Sequence, residues 1–362
     1  MNVLVISNYK SFHSVRPEAE IFLGLAKKGV QLHIMTQGES EYATRFKQAG
    51  ITVVDFHPQK KRNNQEVLFI RKYIQENAID IVHAFNNKAI YAAIPAVKKL
   101  PVKLVLYRGY TGNMSKFDPT SYLKHLNPRV DAIVCNSLGV KEYLDSQLRP
   151  ESNKTVVINK GHSLDWYKNV TSYNIRKERN IPDDAFLLVT TANNRPMKGI
   201  PYLLQAIHHL PETANVHLII IGAGMNSARN MRIIKRGKHS DKIHLLGFRD
   251  NALEIVNASD VFVLASVKGE SITKSVIESM SLGVPPIITD ISGNTELVED
   301  GVSGVVVKRK SFKAISQAIS DLYINRDLVA YLGKNAKLHV QEHLNTETTI
   351  EKYFDFYTQL LK

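Results

Sequence analysis

The feature that most limits the fold of this chain is the alternation of short apolar runs with longer amphipathic segments. Apolar runs of strand length occur at 3–6, 31–35, 51–55, 79–82, 102–106, 132–135 and 155–158. Helical patterns separate several of them, at 18–28, 64–76, 88–99 and 137–147. Continuous apolar strands joined by helical crossovers are typical of a parallel sheet that is covered on both faces. The first part of the chain therefore predicts a doubly wound α/β domain.

The same alternation begins again after an irregular stretch at 159–180. The predicted strands of this second half are 186–190, 216–221, 243–246, 261–264, 286–289 and 304–307, and the predicted helices are 199–210, 226–236, 251–257, 273–282 and 312–324. From residue 329 onward the sequence is almost entirely helical.

These patterns predict three parts of the chain. We expect an N-terminal Rossmann-like domain at 1–165, a C-terminal Rossmann-like domain at 166–340, and a helix at 341–362 that either packs outside the second sheet or returns to the first domain. Doubly wound sheets bind their ligands at the carboxyl ends of the strands. We therefore expect a binding site in a cleft between the two domains.

Composition is that of an ordinary globular protein. Of the 362 residues, 44% are hydrophobic and 22% are charged, and no apolar run approaches the length of a membrane-spanning helix. The single cysteine, Cys135, excludes an internal disulfide and any zinc site with several cysteines. The N-terminus lacks the features of a secretory signal, so we expect a cytoplasmic protein.

The chain is basic, with a formal net charge of +13. The excess is larger in residues 1–165, with 23 basic and 14 acidic residues, than in residues 166–362, with 24 and 20. Such a bias suits nucleic acid, the anionic leaflet of a membrane or a phosphorylated substrate. The basic residues are scattered and are not clustered with aromatic ones, which disfavours nucleic acid.

The segment 266–304 carries the clearest functional pattern. It reads as strand, loop, helix, strand and loop, with Glu270 in the first loop and Glu278 inside the helix that starts near Thr273. Unpaired backbone N–H groups at a helix start bind a phosphate or diphosphate, and Thr273 and Lys274 flank this one. The two carboxylates can accept hydrogen bonds from sugar hydroxyls on either side of that phosphate. An ordinary helix with acidic residues at its start would account for Glu270 alone.

This segment resembles the retaining glycosyltransferases of family 4, whose GT-B fold has two Rossmann-like domains facing across a cleft. The resemblance rests on two glutamates separated by seven residues, on the Gly-Val-Pro-Pro sequence at 283–286 and on the Asp-Gly-Val-Ser-Gly sequence at 300–304. It extends weakly over the whole chain. It implies that Glu270 contacts the donor sugar and that Glu278 contacts the nucleotide ribose. We expect no metal ion and no cofactor, since the nucleotide-sugar is a substrate.

Two loops depart from the family pattern. Where the family often has a glycine-rich turn after the first glutamate, this chain has Ser271, Ile272, Thr273 and Lys274, whose side chains would replace backbone contacts to the donor. Where family members often carry a histidine after a strand of the first domain, this chain has Arg108. An arginine can bind a donor phosphate or an anionic acceptor, but it cannot act as a general base at ordinary pH.

Other candidate residues lie in loops expected at strand ends. Lys198 matches a family lysine that contacts the donor diphosphate, and Arg195 lies near it; the alternative is a helix start with two solvated cations. His83 either faces the cleft on the acceptor side or is a buried histidine at the end of a strand. The remaining candidates are Gly222, Phe248 and Arg16 for the donor, and Tyr110 for the acceptor.

The resulting hypothesis is a retaining glycosyltransferase that moves a sugar from a UDP- or GDP-sugar to a hydroxyl of a glycan or lipid-linked acceptor. The resemblance implies a role in envelope polysaccharide synthesis, such as lipopolysaccharide, O-antigen or capsule, at the inner face of the plasma membrane. Two alternatives remain open: a nucleotide-sugar 2-epimerase of the same fold, and a non-catalytic GT-B-like subunit.

Overall fold

Two parallel β-sheets organise the chain in the computed structural model, which describes residues 1–61 and 63–362 apart from the side chain of residue 13. Each sheet belongs to one unit. The first unit consists of residues 1–161 and 344–362, and the second consists of residues 162–343. The first unit is therefore built from two stretches of chain.

The first unit alternates strands and helices along its length. Its elements are β1 (Asn2–Ile6), α1 (Phe12–Lys27), β2 (Gln31–Thr36), α2 (Glu41–Gln48), β3 (Thr52–Asp55), α3 (Asn64–Glu76), β4 (Ile81–Ala84), α4 (Asn87–Ala96), β5 (Lys103–Arg108), β6 (Ala132–Cys135), α5 (Leu138–Asp145) and β7 (Thr155–Val157). No helix joins β5 to β6; a long segment with one 3-10 turn, Pro119–Leu123, connects them.

The second unit repeats this arrangement. Its elements are α6 (Ile175–Arg179), β8 (Phe186–Thr191), α7 (Ile200–His209), β9 (Val216–Ile221), α8 (Ala228–Arg236), β10 (Ile243–Gly247), α9 (Ala252–Asn257), β11 (Val261–Leu264), α10 (Lys274–Ser281), β12 (Pro286–Thr289), β13 (Val305–Val307), α11 (Phe312–Ile324) and α12 (Arg326–His343). The last helix, α13 (Thr346–Leu361), belongs to the first unit.

Both sheets have the strand order of a doubly wound fold. The order is β3-β2-β1-β4-β5-β6-β7 in the first unit and β10-β9-β8-β11-β12-β13 in the second, and all neighbours are parallel. The order reverses between β1 and β4 and between β8 and β11. The connections that leave the two strands at such a reversal run to opposite faces of the sheet, and a crevice for a ligand lies between them outside the carboxyl ends. The expectation of two doubly wound α/β domains is confirmed.

Helix α13 covers one face of the first sheet. Asn345 caps its start by accepting a hydrogen bond from the Thr348 N–H at 2.6 Å. Tyr353 and Tyr357 are wholly buried in the apolar cluster formed by that face and by α1. The helix thus supplies part of the core of the first unit.

No helix among the described residues is both long enough and apolar enough to cross a membrane. The boundaries of most elements lie within one or two residues of those predicted. Helix α2 is an element that the sequence pattern did not predict, and β4 lies two residues later than the apolar run that predicted it.

Candidate functional site

The loop that follows β11 holds a buried carboxylate, Glu270, in a fixed orientation. Its Oε1 atom accepts hydrogen bonds from the Ser266 hydroxyl at 2.6 Å and from the Lys198 ammonium at 2.7 Å. Its Oε2 atom lies 3.3 Å from the Thr273 hydroxyl oxygen. Because charge-assisted hydrogen bonds of this length restrict a side chain strongly, Glu270 presents one geometry to a ligand at the end of this strand.

A glycine brings Lys198 to this carboxylate. Lys198 ends a short 3-10 turn after β8, and Gly199 follows it with a φ of +65°. A Cβ atom on Gly199 would lie 1.9 Å from the Ala265 carbonyl oxygen, so only glycine allows the turn to approach the end of β11 this closely. Since β8 and β11 are neighbours in the sheet, the loops at their carboxyl ends meet.

Helix α10 begins just after Glu270, and no side chain caps its first turn. Thr273 occupies the cap position, but its hydroxyl lies against Glu270 and 3.0 Å from the Asn294 amide oxygen. The helix start therefore keeps backbone N–H groups and the positive end of its dipole for an anion. One turn further along, the Lys274 ammonium pairs with the Glu278 carboxylate.

The turn at 293–294 packs against the loop that carries Glu270. Gly293 has a φ of +38°, and a Cβ atom there would lie 2.6 Å from the Ser271 Cα atom. Asn294 is wholly buried, and its Nδ2 atom has no hydrogen-bond partner among the described residues. Sequence reasoning missed Ser266 and Asn294. The signal for Asn294 is the preceding glycine, which marks a close approach of two backbones after a predicted strand.

The remaining donor-side candidates lie at the ends of neighbouring strands. Gly222 follows β9 with a φ of +144°, and a Cβ atom there would lie 1.6 Å from the Ala192 carbonyl oxygen. Phe248 follows β10 and is 75% exposed. Arg195 is exposed too, and its side chain forms no ion pair or hydrogen bond within the described part of the chain. The Arg195 carbonyl oxygen accepts a hydrogen bond from the Lys198 N–H at 2.9 Å, so this residue adjoins the Glu270 cluster through its backbone.

A pocket of about 400 Å³ lies at the carboxyl ends of β4 and β5 in the first unit. The Arg108 guanidinium lines it and donates hydrogen bonds to the carbonyl oxygens of Tyr110, at 3.0 Å, and Gly112. The guanidinium carbon lies 3.8 Å from the centre of the Tyr110 ring. Arg108 therefore positions Tyr110 in the pocket wall. Burial lowers the pKa of Arg108 from its usual value, but an arginine in a protein keeps its charge.

His125 lines the same pocket and was not predicted from the sequence. Its Nε2 atom lies 3.2 Å from the Tyr107 carbonyl oxygen. Because a carbonyl can only accept, Nε2 carries the hydrogen, and Nδ1, which is buried without a partner in the described residues, has a lone pair. Burial, together with the nearby Arg108 charge, lowers the pKa of His125 to about 3, so the imidazole is neutral. A lone histidine in a long loop carries no sequence pattern that would reveal this position.

Two family models match the chain and together cover most of it. The model for group 1 glycosyl transferases matches residues 172–339, and the model for glycosyltransferase family 4 matches residues 19–166. The chain belongs to glycosyltransferase family 4. The family 4 resemblance noted in the sequence is thereby confirmed.

Curated relatives of this family 4 chain are distant. N-acetyl-alpha-D-glucosaminyl L-malate synthase of Bacillus anthracis is 25% identical over 188 residues, which are 52% of this chain and 49% of that protein. N,N'-diacetylbacillosaminyl-diphospho-undecaprenol alpha-1,3-N-acetylgalactosaminyltransferase of Campylobacter jejuni is 22% identical over 347 residues, 90% of each chain. The chain spans about half the length of the first curated relatives it matches.

Solved structures share the fold over the whole length. A glycosyltransferase from Rickettsia africae superposes with a TM-score of 0.81 at 17% identity, covering 100% of this chain and 98% of the other. Anabaena HepE in complex with UDP-glucose superposes with a TM-score of 0.76 at 19% identity, covering 99% and 100%. At these identities the likeness establishes the GT-B fold.

The structure of this family 4 glycosyltransferase brings several predicted donor residues together. Glu270, Lys198 and Thr273 are in contact, and Lys274 pairs with Glu278. Two further candidates lie in the same loop, where Ser271 is buried and Ile272 is half-buried. On the acceptor side, Arg108 and Tyr110 share one pocket wall.

The prediction that His83 faces an acceptor is wrong. His83 lies inside β4, is wholly buried, and its Nδ1 atom lies 2.6 Å from the Tyr357 hydroxyl oxygen. Burial lowers the pKa of His83 to about 3, so the side chain is a neutral core residue. Helix α13 covers this part of the sheet, which leaves no room for a ligand at His83.

Arg16 lies on α1, half-buried, with its guanidinium carbon 5.5 Å from the centre of the Phe12 ring. It belongs to the first unit, whereas the Glu270 cluster belongs to the second. Its contact with a donor phosphate stays a prediction.

Proposed function

We propose that the chain is a retaining glycosyltransferase that moves a sugar from a nucleoside-diphosphate sugar to a hydroxyl acceptor. The observation that carries the proposal is the Glu270 carboxylate, held by Ser266 and Lys198 beside the uncapped start of α10 in a family 4 fold. A carboxylate for sugar hydroxyls, an ammonium and a helix N-terminus are the groups that recognise a sugar diphosphate.

The donor diphosphate would lie at the start of α10. Its charge would be stabilised by the helix N–H groups, by Lys198 and by Arg195, which is exposed and unpaired. Lys198 has three N–H donors and can bind phosphate while it still contacts Glu270. The ribose would bind at Glu278, and the base near Gly222 and Phe248.

We propose UDP or GDP as the nucleotide. The Anabaena HepE structure, which shares the fold, contains UDP-glucose, and this supports UDP as the first nucleotide to test. The sugar itself would contact Glu270, Ser271 and Ile272, while Thr273 and Lys274 adjoin the phosphates.

Retention would follow from transfer on one face of the sugar. As the bond between the anomeric carbon and the diphosphate oxygen breaks, the leaving oxygen takes the proton of the acceptor hydroxyl, whose oxygen bonds to the anomeric carbon. The positive groups around the diphosphate stabilise the charge that develops there, so the scheme includes no metal ion and no cofactor.

The acceptor would bind in the pocket of the first unit. Tyr110 offers an aromatic face, and Arg108 supports it. We propose a glycan or lipid-linked acceptor in the synthesis of lipopolysaccharide, O-antigen or capsule. The Campylobacter jejuni relative, matched over 90% of its length, is named for a diphospho-undecaprenol compound, which supports this class. A cytoplasmic protein at the inner face of the plasma membrane would suit the net charge of +13.

Calorimetric titration with UDP, GDP and their sugar conjugates tests the donor site. We expect saturable binding of one diphosphate and, with a polyprenyl-linked acceptor, a product whose anomeric configuration by NMR is that of the donor. Lys198→Ala should lower kcat by about 100-fold, the order expected for losing one group that stabilises developing charge. Lys238→Ala, which changes an exposed lysine of the same unit, should leave kcat unchanged.

Donor titration of one variant, together with an assay for turnover, separates the alternative functions. Glu278→Ala should weaken donor binding by about 10- to 100-fold, because hydrogen bonds to a carboxylate contribute about 1.5–3 kcal/mol. Unchanged donor affinity in that variant would refute the ribose role. Conversion of the donor at C2 without an acceptor would identify an epimerase, and donor binding without any turnover would identify a non-catalytic subunit.

A further inference from the structure

The pocket at the carboxyl ends of β4 and β5 contains a positive charge that no carboxylate of the described residues neutralises. Arg108 is only 3% exposed and forms no ion pair in that part of the chain. None of the described residues that line the pocket is acidic, and His125, which also lines it, is neutral because burial lowers its pKa to about 3. A buried charge costs free energy unless an opposite charge pairs with it. The free protein therefore bears a cost here that a bound anion would relieve.

An ion pair next to the aromatic wall of this pocket leaves that charge unchanged. Phe85 and Tyr107 line the pocket, and their stacked rings have centres 5.0 Å apart. The Lys160 ammonium lies 4.3 Å from the centre of the Tyr107 ring and 2.6 Å from a carboxylate oxygen of Glu18. Because Lys160 and Glu18 neutralise each other, Glu18 is not available as a counterion for Arg108.

The hydrogen bonds of Arg108 fix the plane of its guanidinium and leave several donors free. Of the five N–H groups of an arginine, the Nε–H donates here to the Tyr110 carbonyl oxygen at 3.0 Å, and one Nη2–H donates to that of Gly112. The other Nη2–H and both N–H groups of Nη1 donate to no described residue. The centre of the Tyr110 ring lies 3.8 Å from the guanidinium carbon. A fork of N–H donors held in this way matches the paired oxygens of a carboxylate or a phosphate.

Side chains that suit a sugar ring line the same pocket. Tyr110 is 40% exposed. Asn87, the first residue of α4, is exposed, and its amide has no hydrogen-bond partner within the described part of the chain. An aromatic ring offers apolar contact to a sugar, and an amide can donate to and accept from its hydroxyls. The volume of about 400 Å³ falls within the range of small-ligand sites. Arg108 therefore adds an anion-binding group to a pocket that suits a sugar.

We propose that the acceptor carries an oxyanion, a carboxylate or a phosphate, on the sugar that enters this pocket, and that Arg108 pairs with it. This rests on the proposed function, which places the acceptor in the pocket, and it adds the chemical class of that acceptor: an acidic sugar or a sugar phosphate. Arg108 is then a specificity-determining residue, because it selects acceptors by charge. The anion site can be measured without a donor, since binding of the acceptor sugar alone reports on it.

Saturation-transfer NMR of the full chain with methyl glucoside, methyl glucuronide and glucose 6-phosphate tests the proposal. Each compound is titrated to about 10 mM, enough to saturate a site with a Kd of about 1 mM. We expect at least one anionic compound to bind about tenfold or more tightly than the neutral glucoside, because a charged partner strengthens a hydrogen bond to that extent. The preference should fall as salt is added. The anionic compound that binds more tightly identifies the acidic group.

Variants of Arg108 and of a matched arginine assign the preference to this side chain. Arg108→Gln should reduce the preference to about twofold or less, whereas Arg108→Lys, which keeps the charge but not the fork, should retain part of it. Arg71→Gln is the control, because Arg71 on α3 also donates to backbone carbonyl oxygens, those of Ala96 at 3.1 Å and Lys98 at 2.7 Å, and does not line the pocket. It should keep the full preference. Thermal melts confirm folding, and if Arg108→Gln does not fold, Arg108→Lys and the salt dependence of the unaltered chain decide.

Several results would overturn the proposal. Equal binding of neutral and anionic compounds by the unaltered chain is one, and no binding of either anionic compound is another. A preference that persists in Arg108→Gln would show that the anion binds elsewhere. If Arg108→Gln weakens UDP binding as much as it weakens binding of the anionic sugar, Arg108 serves the donor phosphate and the acceptor assignment is overturned.

UDP titration of the same samples keeps these outcomes separate from a failure of the proposed function. A chain that binds UDP but shows no preference for anionic sugars retains its donor site, and the anionic acceptor alone is overturned. A chain that prefers anionic sugars through Arg108 but binds no nucleotide would overturn the proposed function and leave the anion site in place.

Discussion

Replacing Asn294 by alanine tests whether a buried amide orients Glu270 through the Thr273 hydroxyl. Thr273 has one hydroxyl hydrogen, and three acceptors lie within reach: Asn294 Oδ1 at 3.0 Å, Glu270 Oε2 at 3.3 Å and the Ser271 carbonyl oxygen at 3.4 Å. Exchanging the oxygen and nitrogen of the Asn294 amide leaves its shape unchanged. Nδ2 then donates to the Thr273 oxygen, and the Thr273 hydroxyl donates to Glu270. The unpaired atom becomes an acceptor, which is less costly to bury than a donor.

The expected change in the free energy of unfolding follows from two hydrogen bonds, Asn294 to Thr273 and Thr273 to Glu270, which together form the relay. A neutral hydrogen bond contributes about 1 kcal/mol and a bond to a charged group about 1.5–3 kcal/mol. Asn294→Ala removes the first and weakens the second, so it should lower the free energy of unfolding by about 1–3 kcal/mol. Thr273→Val removes both. Since the amide acts through the hydroxyl, adding Asn294→Ala to the Thr273→Val variant should lower the free energy of unfolding only slightly further. The cost of the double variant should therefore be smaller than the sum of the two single costs by about 1 kcal/mol or more.

Urea denaturation followed by tryptophan fluorescence measures these effects. The single tryptophan, Trp166, lies in the second unit and therefore reports on the unit that carries the relay. Asn230→Ala is the control, because Asn230 is a buried asparagine of the same unit whose Nδ2 donates to the Met225 carbonyl at 3.0 Å. Asn230→Ala should lower the free energy of unfolding by the same amount with and without Thr273→Val. Additive costs for Asn294→Ala and Thr273→Val, within about 0.5 kcal/mol, would refute the relay.

Three further predictions concern stability. Gly222→Ala should cost about 3 kcal/mol or more, since its Cβ would clash with a carbonyl oxygen, whereas Gly247→Ala, with a φ of +69° and open space, should cost about 1 kcal/mol; equal costs in urea would contradict this. Tyr357→Phe leaves His83 Nδ1 buried without its partner and should cost about 1–3 kcal/mol; an unchanged melting temperature would show that this bond does not stabilise the fold. The pKa values of His83 and His125 are about 3, below the ordinary 6.5, so the unfolded chain binds protons first as pH falls. The contribution of these two histidines to the free energy of unfolding is therefore fully present above pH 6.5 and is lost between pH 6.5 and 3, by up to about 1.4 kcal/mol per pH unit for each histidine. Thermal melts of His125→Asn over this pH range should show a shallower loss.

Most strands can be predicted from the sequence because parallel strands covered on both faces are continuous apolar runs. The runs at 132–135, 216–221, 261–264 and 286–289 coincide with β6, β9, β11 and β12. Helix α2 escaped prediction because only Tyr42, Ala43 and Phe46 are buried among its eight residues. Three buried positions are too few to establish a helical period.

His83 illustrates where a sequence pattern misleads. The apolar run at 79–82 contains Asp80, whose carboxylate accepts from the Asn2 N–H at 2.7 Å, and the strand begins after it. A histidine at the end of an apolar run is easily taken for the end of the strand. Its burial depends on Tyr357, a residue 274 positions away, and no local pattern contains that contact.

In the candidate site too, some residues can be recognised from the sequence and others only from the fold. Glu270 and Glu278 have a spacing and a context that sequence can recognise, and Lys198 precedes a glycine that opens a helix. The pairing of Lys198 with Glu270 depends on the adjacency of β8 and β11, which only the fold reveals. Asn294 and His125 are single polar residues, and in each of them one buried side-chain nitrogen has no partner among the described residues.

The position of α13 has a consequence for how the chain is made. Residues 162–343 are synthesised before α13, so the first unit cannot complete its core until the whole second unit has been made. Until then the first sheet lacks the helix that covers His83, and the part of the apolar face that Tyr353 and Tyr357 fill remains open to solvent. The unit that is synthesised first is therefore the one completed last, and chaperone binding to nascent chains should be strongest just before Tyr357 emerges.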